Sequence, residues 1–211
     1  MVAGYGSWAM TSVNPASEAV AALGRSGADT CHLHCLEAPV DSEGLYEWLE
    51  RTIEQYKPDI WIGVGVAVGR PSISVENIAI NVRRLDVPDN KGLRLGPSTI
   101  IDGGPAAYQS NLKHDDIVRN LQGARIPAIL SYHAGTHLCN QMLYSIMHIR
   151  EAQGLNLLGG FIHVPQSTDN VSQALGADVT CSSMSIPMMT QALAITLDSS
   201  LGQLDAAATY A

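Results

Sequence analysis

The sequence predicts an α/β fold, a three-layer α/β/α sandwich with a mostly parallel central sheet. Two patterns indicate this fold. Short apolar runs, of which 59–64 and 157–164 are clear examples, alternate with segments whose apolar residues recur at three- and four-residue steps. The chain has 211 residues, enough for one sizeable core but too few for two ordinary domains and a linker. We therefore expect a single domain over residues 1–211.

The composition excludes several classes of protein. The apolar fraction of 46% is ordinary for a globular protein. A net charge of −8 without a basic cluster argues against nucleic acid as a partner. No apolar run is long enough to span a membrane, and the N-terminus lacks the pattern of a signal peptide. We therefore expect no membrane partner, a cytoplasmic location and reduced cysteines.

Turn chemistry and apolar spacing define the elements along the chain. Asn14-Pro15 predicts a helix start, because Asn caps helices and Pro is tolerated in the first turn. In chain order we expect a strand stub at 1–4, helix 15–25, strand 30–36, a helix from 41 or 42 to 56, strand 59–64, a strand or irregular segment at 73–82, a surface loop at 91–110, helix 115–121, strand 126–130, a helix reaching 149, strand 157–164, a mobile loop at 166–181 and a helix from 185 to 197. Residues 199–211 lack an amphipathic pattern and are expected to fray.

The segment Cys31-His32-Leu33-His34-Cys35 raises the possibility of a metal site. Alternation along a strand would split these side chains between two faces, and no second Cys/His pair follows at zinc-site spacing. We therefore favour ordinary strand packing and predict no metal site.

The segment 126–149 predicts a strand, a tight glycine turn at Gly135 and a helix. Thr136 is a natural N-cap, and Cys139 falls three residues later, in the first helical turn. The positive end of the helix dipole there favours a thiolate, the nucleophilic form of cysteine. Cys139 is therefore a candidate nucleophile; the alternative is an inert buried cysteine.

Two further residues could cooperate with Cys139. His163 ends the apolar run 157–164, and the carboxyl ends of parallel strands converge on one crevice where ligands bind. An imidazole there could take the thiol proton. Glu76 lies in an apolar segment and needs a partner if it is buried, which an imidazole could supply. The alternatives are a core histidine and an exposed loop glutamate.

Five motifs together carry a family resemblance, namely ENIAIN, VPDN, GGPAAY, AGTHLCN and GFIHVP. In this order and spacing they resemble pyroglutamyl peptidase I, a family of cysteine peptidases, from Gly4 to about Leu197. The resemblance implies a Glu76, Cys139 and His163 triad, a central mixed sheet and frequently a homotetramer. It also implies no metal or organic cofactor, and peptides with N-terminal pyroglutamate as substrates.

The resemblance also implies substrate-binding positions. A glycine-rich turn that includes Gly65 and Val66 would approach the substrate ring with its main chain. Relatives commonly place Phe residues against that ring, where this chain has Tyr5 and Trp8 near the N-terminus and His137 before Cys139. An imidazole is smaller and more polar than a phenyl ring and can ionise at physiological pH. Two alternatives therefore stay open: a related cysteine hydrolase with an altered pocket, and a binding protein without catalysis.

Overall fold

The computed structural model describes residues 1–8, 13–27, 31–174 and 181–209. In chain order its elements are β1 Val2–Tyr5, α1 Pro15–Ser26, β2 Cys35–Ala38, α2 Leu45–Tyr56, β3 Ile60–Val66, β4 Ile73–Glu76, β5 Ile78–Ile80, β6 Arg83–Leu85, β7 Leu95–Ser98, β8 Ala107–Gln109, α3 His114–Gly123, β9 Ala128–Ser131, α4 Leu138–Ala152, β10 Leu158–Val164, β11 Gln166–Ser167, α5 Thr168–Gln173, β12 Ser183–Met184 and α6 Ile186–Thr209. Among these described helices, none is long and apolar enough to cross a membrane.

Six strands of the described residues form the central sheet, in the order β2-β1-β3-β10-β4-β9. β4 runs antiparallel to β10, whereas the other neighbours in this sheet pair in parallel. Helices α1, α3 and α6 pack around one apolar core on one face, and α2 and α4 around a second core. The predicted three-layer fold with a mixed, mostly parallel sheet is confirmed.

The strand predicted at 30–36 begins later than expected, at Cys35. Residues 31–34 lie outside the strand, and Thr30 lies outside the described residues. β2 pairs with β1 over four positions, from Val2 opposite Cys35 to Tyr5 opposite Ala38, so the short partner strand sets its length. Alternation in the sequence extends beyond the hydrogen-bonded pairing, and the predicted boundaries are therefore wrong.

The segment 91–110, predicted as a surface loop, contains the strands β7 and β8. β6 pairs antiparallel with β7, and β5 with β8. The Oδ1 atom of Asn81 accepts hydrogen bonds from the N–H groups of Ile100 and Ile101, both at 2.9 Å. These bonds attach the segment between β7 and β8 to the end of β5. These pairings join residues far apart in the chain, which a local pattern cannot reveal.

Three element boundaries also differ from expectation. α2 begins at Leu45 because Asp41 Oδ1 accepts from the N–H of Gly44 and closes a turn before the helix. The predicted loop at 166–181 contains β11 and α5 instead. The Ser167 hydroxyl caps α5 by accepting from the N–H of Asn170 at 3.1 Å. Residues 175–180 of this segment lie outside the described residues. α6 continues to Thr209 rather than fraying, since Leu201 and Leu204 still pack against the core.

The first residue of α3, His114, is buried without a partner for its Nε2 atom among the described residues. Burial lowers the pKa of His114 below its ordinary value of 6.5, and the nearby Asp115 opposes this only in part. The folded state therefore binds this proton less well than the unfolded state. The free energy of unfolding is therefore unaffected by this group above about pH 6.5, where His114 is neutral in both states. It falls as pH drops from there towards the lowered pKa of the folded state, because the unfolded state gains the proton first.

We therefore expect His114→Leu to reduce the loss of stability on acidification. The free energy of unfolding, measured by urea at about pH 7.5 and about pH 5, should fall less in the variant than in the parent. The control is His32→Phe at an exposed position, whose free energy of unfolding should fall between the two pH values as much as that of the parent. If the free energy of unfolding fell equally in the parent and in His114→Leu, His114 would not be the source of the acid sensitivity.

Candidate active site

The connection from β9 to α4 places Cys139 at a helix start. Gly135 has a φ of +85°, which glycine adopts without the steric cost that a side chain would bring. His137, rather than the predicted Thr136, occupies the N-cap position, and no side chain caps the helix. The carbonyl of Thr136 instead accepts from the N–H of Arg84 at 2.7 Å. Cys139 is consequently the second helical residue and stays within the first turn.

Glu76 and His163 meet on the face of the sheet that α4 covers. Phe161 lies opposite Glu76 in the antiparallel pairing of β10 and β4, and His163 lies opposite Ser74. Residues two apart on a strand share a face, so Glu76 and His163 are diagonal neighbours on one side. The Nδ1 atom of His163 lies 2.7 Å from Glu76 Oε1. Glu76 is fully buried, and His163 is 5% exposed.

Opposing effects act on the protonation of this pair. Burial alone lowers the pKa of His163, but charge and hydrogen-bond interactions with Cys139 and Glu76 outweigh it and raise that pKa to about 9. Burial alone raises the pKa of Glu76, whereas its contacts with His163, Ser131 and Arg70 bring that pKa below its ordinary value. The geometry thus favours an imidazolium at His163 beside an ionised carboxylate at Glu76.

Gly65 makes room for the thiol. It pairs with His163 in the parallel register of β3 and β10, on the same face of the sheet. A Cβ atom at this position would lie 2.7 Å from Cys139 Sγ and 3.0 Å from Phe161 Cζ. A residue with a side chain would therefore displace Cys139 or Phe161.

A cavity of about 440 Å³ opens beside Cys139. Its wall includes four of the residues predicted to bind substrate, which are Tyr5, Trp8, Val66 and His137. The fifth, Gly65, lies against Cys139 Sγ instead of lining the cavity. The Tyr5 hydroxyl donates to the carbonyl of Leu138 at 2.6 Å, which holds that ring against the start of α4.

The rings of Trp8 and His137 share an anchor in the connection after β6. Trp8 Nε1 donates to the carbonyl of Pro88 at 2.8 Å, and His137 Nε2 lies 3.0 Å from the carbonyl of Val87. A carbonyl oxygen can only accept, so the His137 hydrogen is on Nε2. The two ring centroids are 5.7 Å apart. One side of the cavity is therefore a pair of fixed aromatic rings.

Asp89 stabilises this connection. Its carboxylate accepts hydrogen bonds from the backbone N–H groups of Ser42, Lys91 and Leu93. The side chain is buried, so these bonds replace the water that the carboxylate loses. Asp89 thereby fixes the backbone that carries both ring anchors.

Two residues near Cys139 and Glu76 escaped the sequence reasoning. Arg70 Nη1 donates to Glu76 Oε1 at 2.7 Å, and its signal in the sequence was a lone charge after a buried strand. Asn140, next to Cys139, is buried and exchanges hydrogen bonds with the backbone of Ile80 and donates to the carbonyl of Val82. Its signal was an amide inside an apolar helix face, which requires partners.

The Cys31–Cys35 segment lies away from this site. Both thiols are partly buried and pack against the core that contains α1 and α6. Within the ranges that the structure describes, no group of three or more His, Cys, Asp or Glu side chains is arranged to hold a metal ion.

Comparison with known proteins places this chain in a family. A family model described as pyroglutamyl peptidase matches residues 1–203. A pyrrolidone-carboxylate peptidase of Pectobacterium carotovorum is 37% identical over 203 residues, which covers 93% of this chain and 90% of the relative. One from Thermococcus onnurineus is 39% identical over 165 residues, with 78% and 82% covered.

Solved structures agree with the sequence matches. A crystal structure of pyrrolidone carboxyl peptidase from Pyrococcus furiosus gives a TM-score of 0.92 at 32% identity, covering 96% of this chain and 98% of that one. The pyroglutamyl peptidase I of Bacillus amyloliquefaciens gives 0.88 at 32% identity, with 94% and 92% covered. On both sequence and fold, this chain belongs to the pyroglutamyl peptidase family, a family of cysteine peptidases.

Proposed function

We propose that this protein is a cysteine exopeptidase that removes N-terminal pyroglutamyl residues from peptides. The observation that carries the proposal is the position of Cys139. It lies in the first turn of α4, contacts the Glu76–His163 pair and forms part of the wall of the cavity. The names of the relatives support the pyroglutamyl group as the substrate.

The chemistry follows from the two nitrogens of His163. Nδ1 is hydrogen-bonded to the carboxylate of Glu76, so Nε2 is the atom that takes the proton from the Cys139 thiol. The thiolate attacks the carbonyl carbon of the pyroglutamyl residue, and the carbonyl oxygen becomes an oxyanion. Unsatisfied backbone N–H groups in the first turn of α4 stabilise that charge.

Collapse of the tetrahedral intermediate breaks the C–N bond. His163 Nε2 protonates the leaving amine, which departs as the shortened peptide and leaves a thioester on Cys139. His163, now neutral, takes a proton from water as that water attacks the thioester. Release of pyroglutamate regenerates the thiol. Glu76 orients the imidazole and stabilises its charged form in both halves of the reaction.

In this proposal the flat lactam ring binds between the fixed rings of Trp8 and His137 and the Tyr5 side of the cavity. Val66 completes an apolar wall. The departures from Phe at these positions also favour a second candidate, a related cysteine hydrolase that accepts a different N-blocking or lactam group. The cytoplasmic location and the homotetramer that the resemblance implies stay predictions.

A panel of aminoacyl-coumarin substrates tests the function directly. We expect hydrolysis of the pyroglutamyl substrate and little activity on unblocked or N-acetylated ones. Cys139→Ala should lower turnover by about 1,000-fold or more, because the nucleophile is lost. Iodoacetamide should inactivate the parent by modifying Cys139, as identified by peptide mass spectrometry.

The matched control is Cys35→Ala, which removes another partly buried thiol and should keep full turnover. Full activity of Cys139→Ala would contradict the mechanism. Preference for another blocked substrate would favour the second candidate.

Glu76→Gln should lower kcat by about 100-fold or more with little change in KM. The amide still fills the buried position but does not stabilise the imidazolium that forms during the reaction. The control is Glu47→Gln on the exposed face of α2, which should leave both constants unchanged. An unaltered kcat in Glu76→Gln would remove the residue from the mechanism.

His137→Phe should lower KM for a pyroglutamyl substrate while kcat changes by less than about twofold, since a phenyl ring offers the neutral lactam a more apolar face. The variant loses the bond to the Val87 carbonyl, so its free energy of unfolding should fall by about 1 kcal/mol. Steady-state kinetics and urea unfolding measure both effects. His32→Phe, on an exposed imidazole, is the control; an unchanged KM in His137→Phe would show that this ring does not contact substrate.

A further inference from the structure

The guanidinium of Arg70 connects three parts of the site. Arg70 lies in the connection between β3 and β4, where its N–H donates to the carbonyl of Ala67 at 3.1 Å and closes a turn. Its Nη1 atom donates to Glu76 Oε1 at 2.7 Å, and its Nη2 atom donates to the carbonyl of His133 at 3.1 Å. The residue therefore bonds both to the carboxylate behind His163 and to the loop that leads to Cys139.

One carboxylate oxygen of Glu76 accepts the hydrogen bonds of both Arg70 and His163. Oε1 accepts from Arg70 and His163, whereas Oε2 is buried and has no hydrogen-bond partner among the described residues. A buried carboxylate stays ionised only while hydrogen-bond donors or a cation replace the water that it loses. In the proposed reaction His163 is cationic in some states and neutral in others. Arg70 is charged in all of them, because a guanidinium keeps its proton throughout the physiological range.

We propose that Arg70 is a positioning residue that keeps Glu76 ionised when His163 is neutral and so sets the pH at which His163 becomes a base. This inference rests on the proposed function. The second half of the reaction requires neutral His163, with Nδ1–H donated to ionised Glu76 and Nε2 open to water. Removing the positive charge of Arg70 makes the Glu76–His163 pair hold a proton more strongly.

The other groups that act on the pair are few among the described residues. Cys139 on α4 contacts His163, and the Ser131 hydroxyl at the end of β9 lies near Glu76. Tyr5 on β1 lies beside Cys139, where burial and that thiol raise its pKa well above the ordinary range. The Arg70 guanidinium is thus the cation that contacts the pair other than the imidazole itself. Its side chain is one-third exposed, so solvent weakens its effect without removing it.

The test measures the protonation of His163 with and without that charge. Arg70→Met, Arg70→Gln and Arg70→Lys are each made in a Cys139→Ala background, and the imidazole of His163 is titrated by NMR with ¹⁵N-labelled histidine. In Arg70→Met and Arg70→Gln the pKa of His163 should rise by about half a unit or more, and Arg70→Lys should restore most of the parent value. This readout needs no substrate, so it is independent of the proposed peptidase activity.

Kinetics provide the second readout in the proteins that retain Cys139. The acid limb of kcat should move to higher pH in Arg70→Met and Arg70→Gln and move back in Arg70→Lys. KM should change little, because Arg70 does not line the cavity. Arg119→Met is the control, as Arg119 pairs with Asp116 on the exposed face of α3.

The outcomes separate the possible roles of Arg70. If the uncharged variants and Arg119→Met give the same His163 pKa as the parent, the proposal is wrong. A loss of kcat at every pH without a shift of the acid limb would also overturn it, because that pattern indicates a structural tie to the His133 loop alone. Circular dichroism checks folding, and Arg70→Gln, which retains a donor for Glu76, supplies the test if Arg70→Met does not fold.

Discussion

The buried carboxylate of Glu76 is the group on which the rest of the site depends. It has no exposed surface, and its Oε1 atom accepts from the imidazole of His163 and the guanidinium of Arg70, both at 2.7 Å. An ion in such a place costs several kcal/mol unless partners replace its water. The positions of His163 and Arg70 are therefore constrained by Glu76, and Cys139 is placed relative to His163.

The topology of the sheet explains how such a long-range contact forms. β4 lies between β10 and β9, antiparallel to the first and parallel to the second. Glu76 consequently stands diagonally across from His163, a separation that a glutamate spans and that the shorter aspartate would not reach as well. Glu76 also lies opposite Ser131, the last residue of β9, from which the chain continues into the glycine turn and α4. One antiparallel strand thus brings the Glu76 carboxylate and the loop before Cys139 to the same place.

The candidate site residues that the sequence indicated are those whose positions depend on local pattern. Cys139 and His163 each stand at the start or end of an element whose apolar periodicity is clear, and Glu76 is a charge within an apolar run. Arg70 was missed because its contact depends on the turn after β3, whose geometry no local pattern encodes. The β5–β8 and β6–β7 pairings were missed for a related reason, since each partner is short and distant in the chain. The N-cap was misassigned to Thr136 because its backbone carbonyl is used by Arg84 instead.

The chemistry and the cavity wall are held by different parts of the chain. Glu76, His163 and Gly65 are fixed by the register of the central sheet, whereas the rings of Trp8 and His137 are fixed by carbonyls at residues 87 and 88. Asp89 stabilises that second segment through three backbone N–H groups. A substitution at the Trp8 ring therefore alters the wall of the cavity without changing the strand register that fixes the carboxylate and the imidazole. In the proposed mechanism this separation allows the same nucleophile to act beside cavity walls of different polarity.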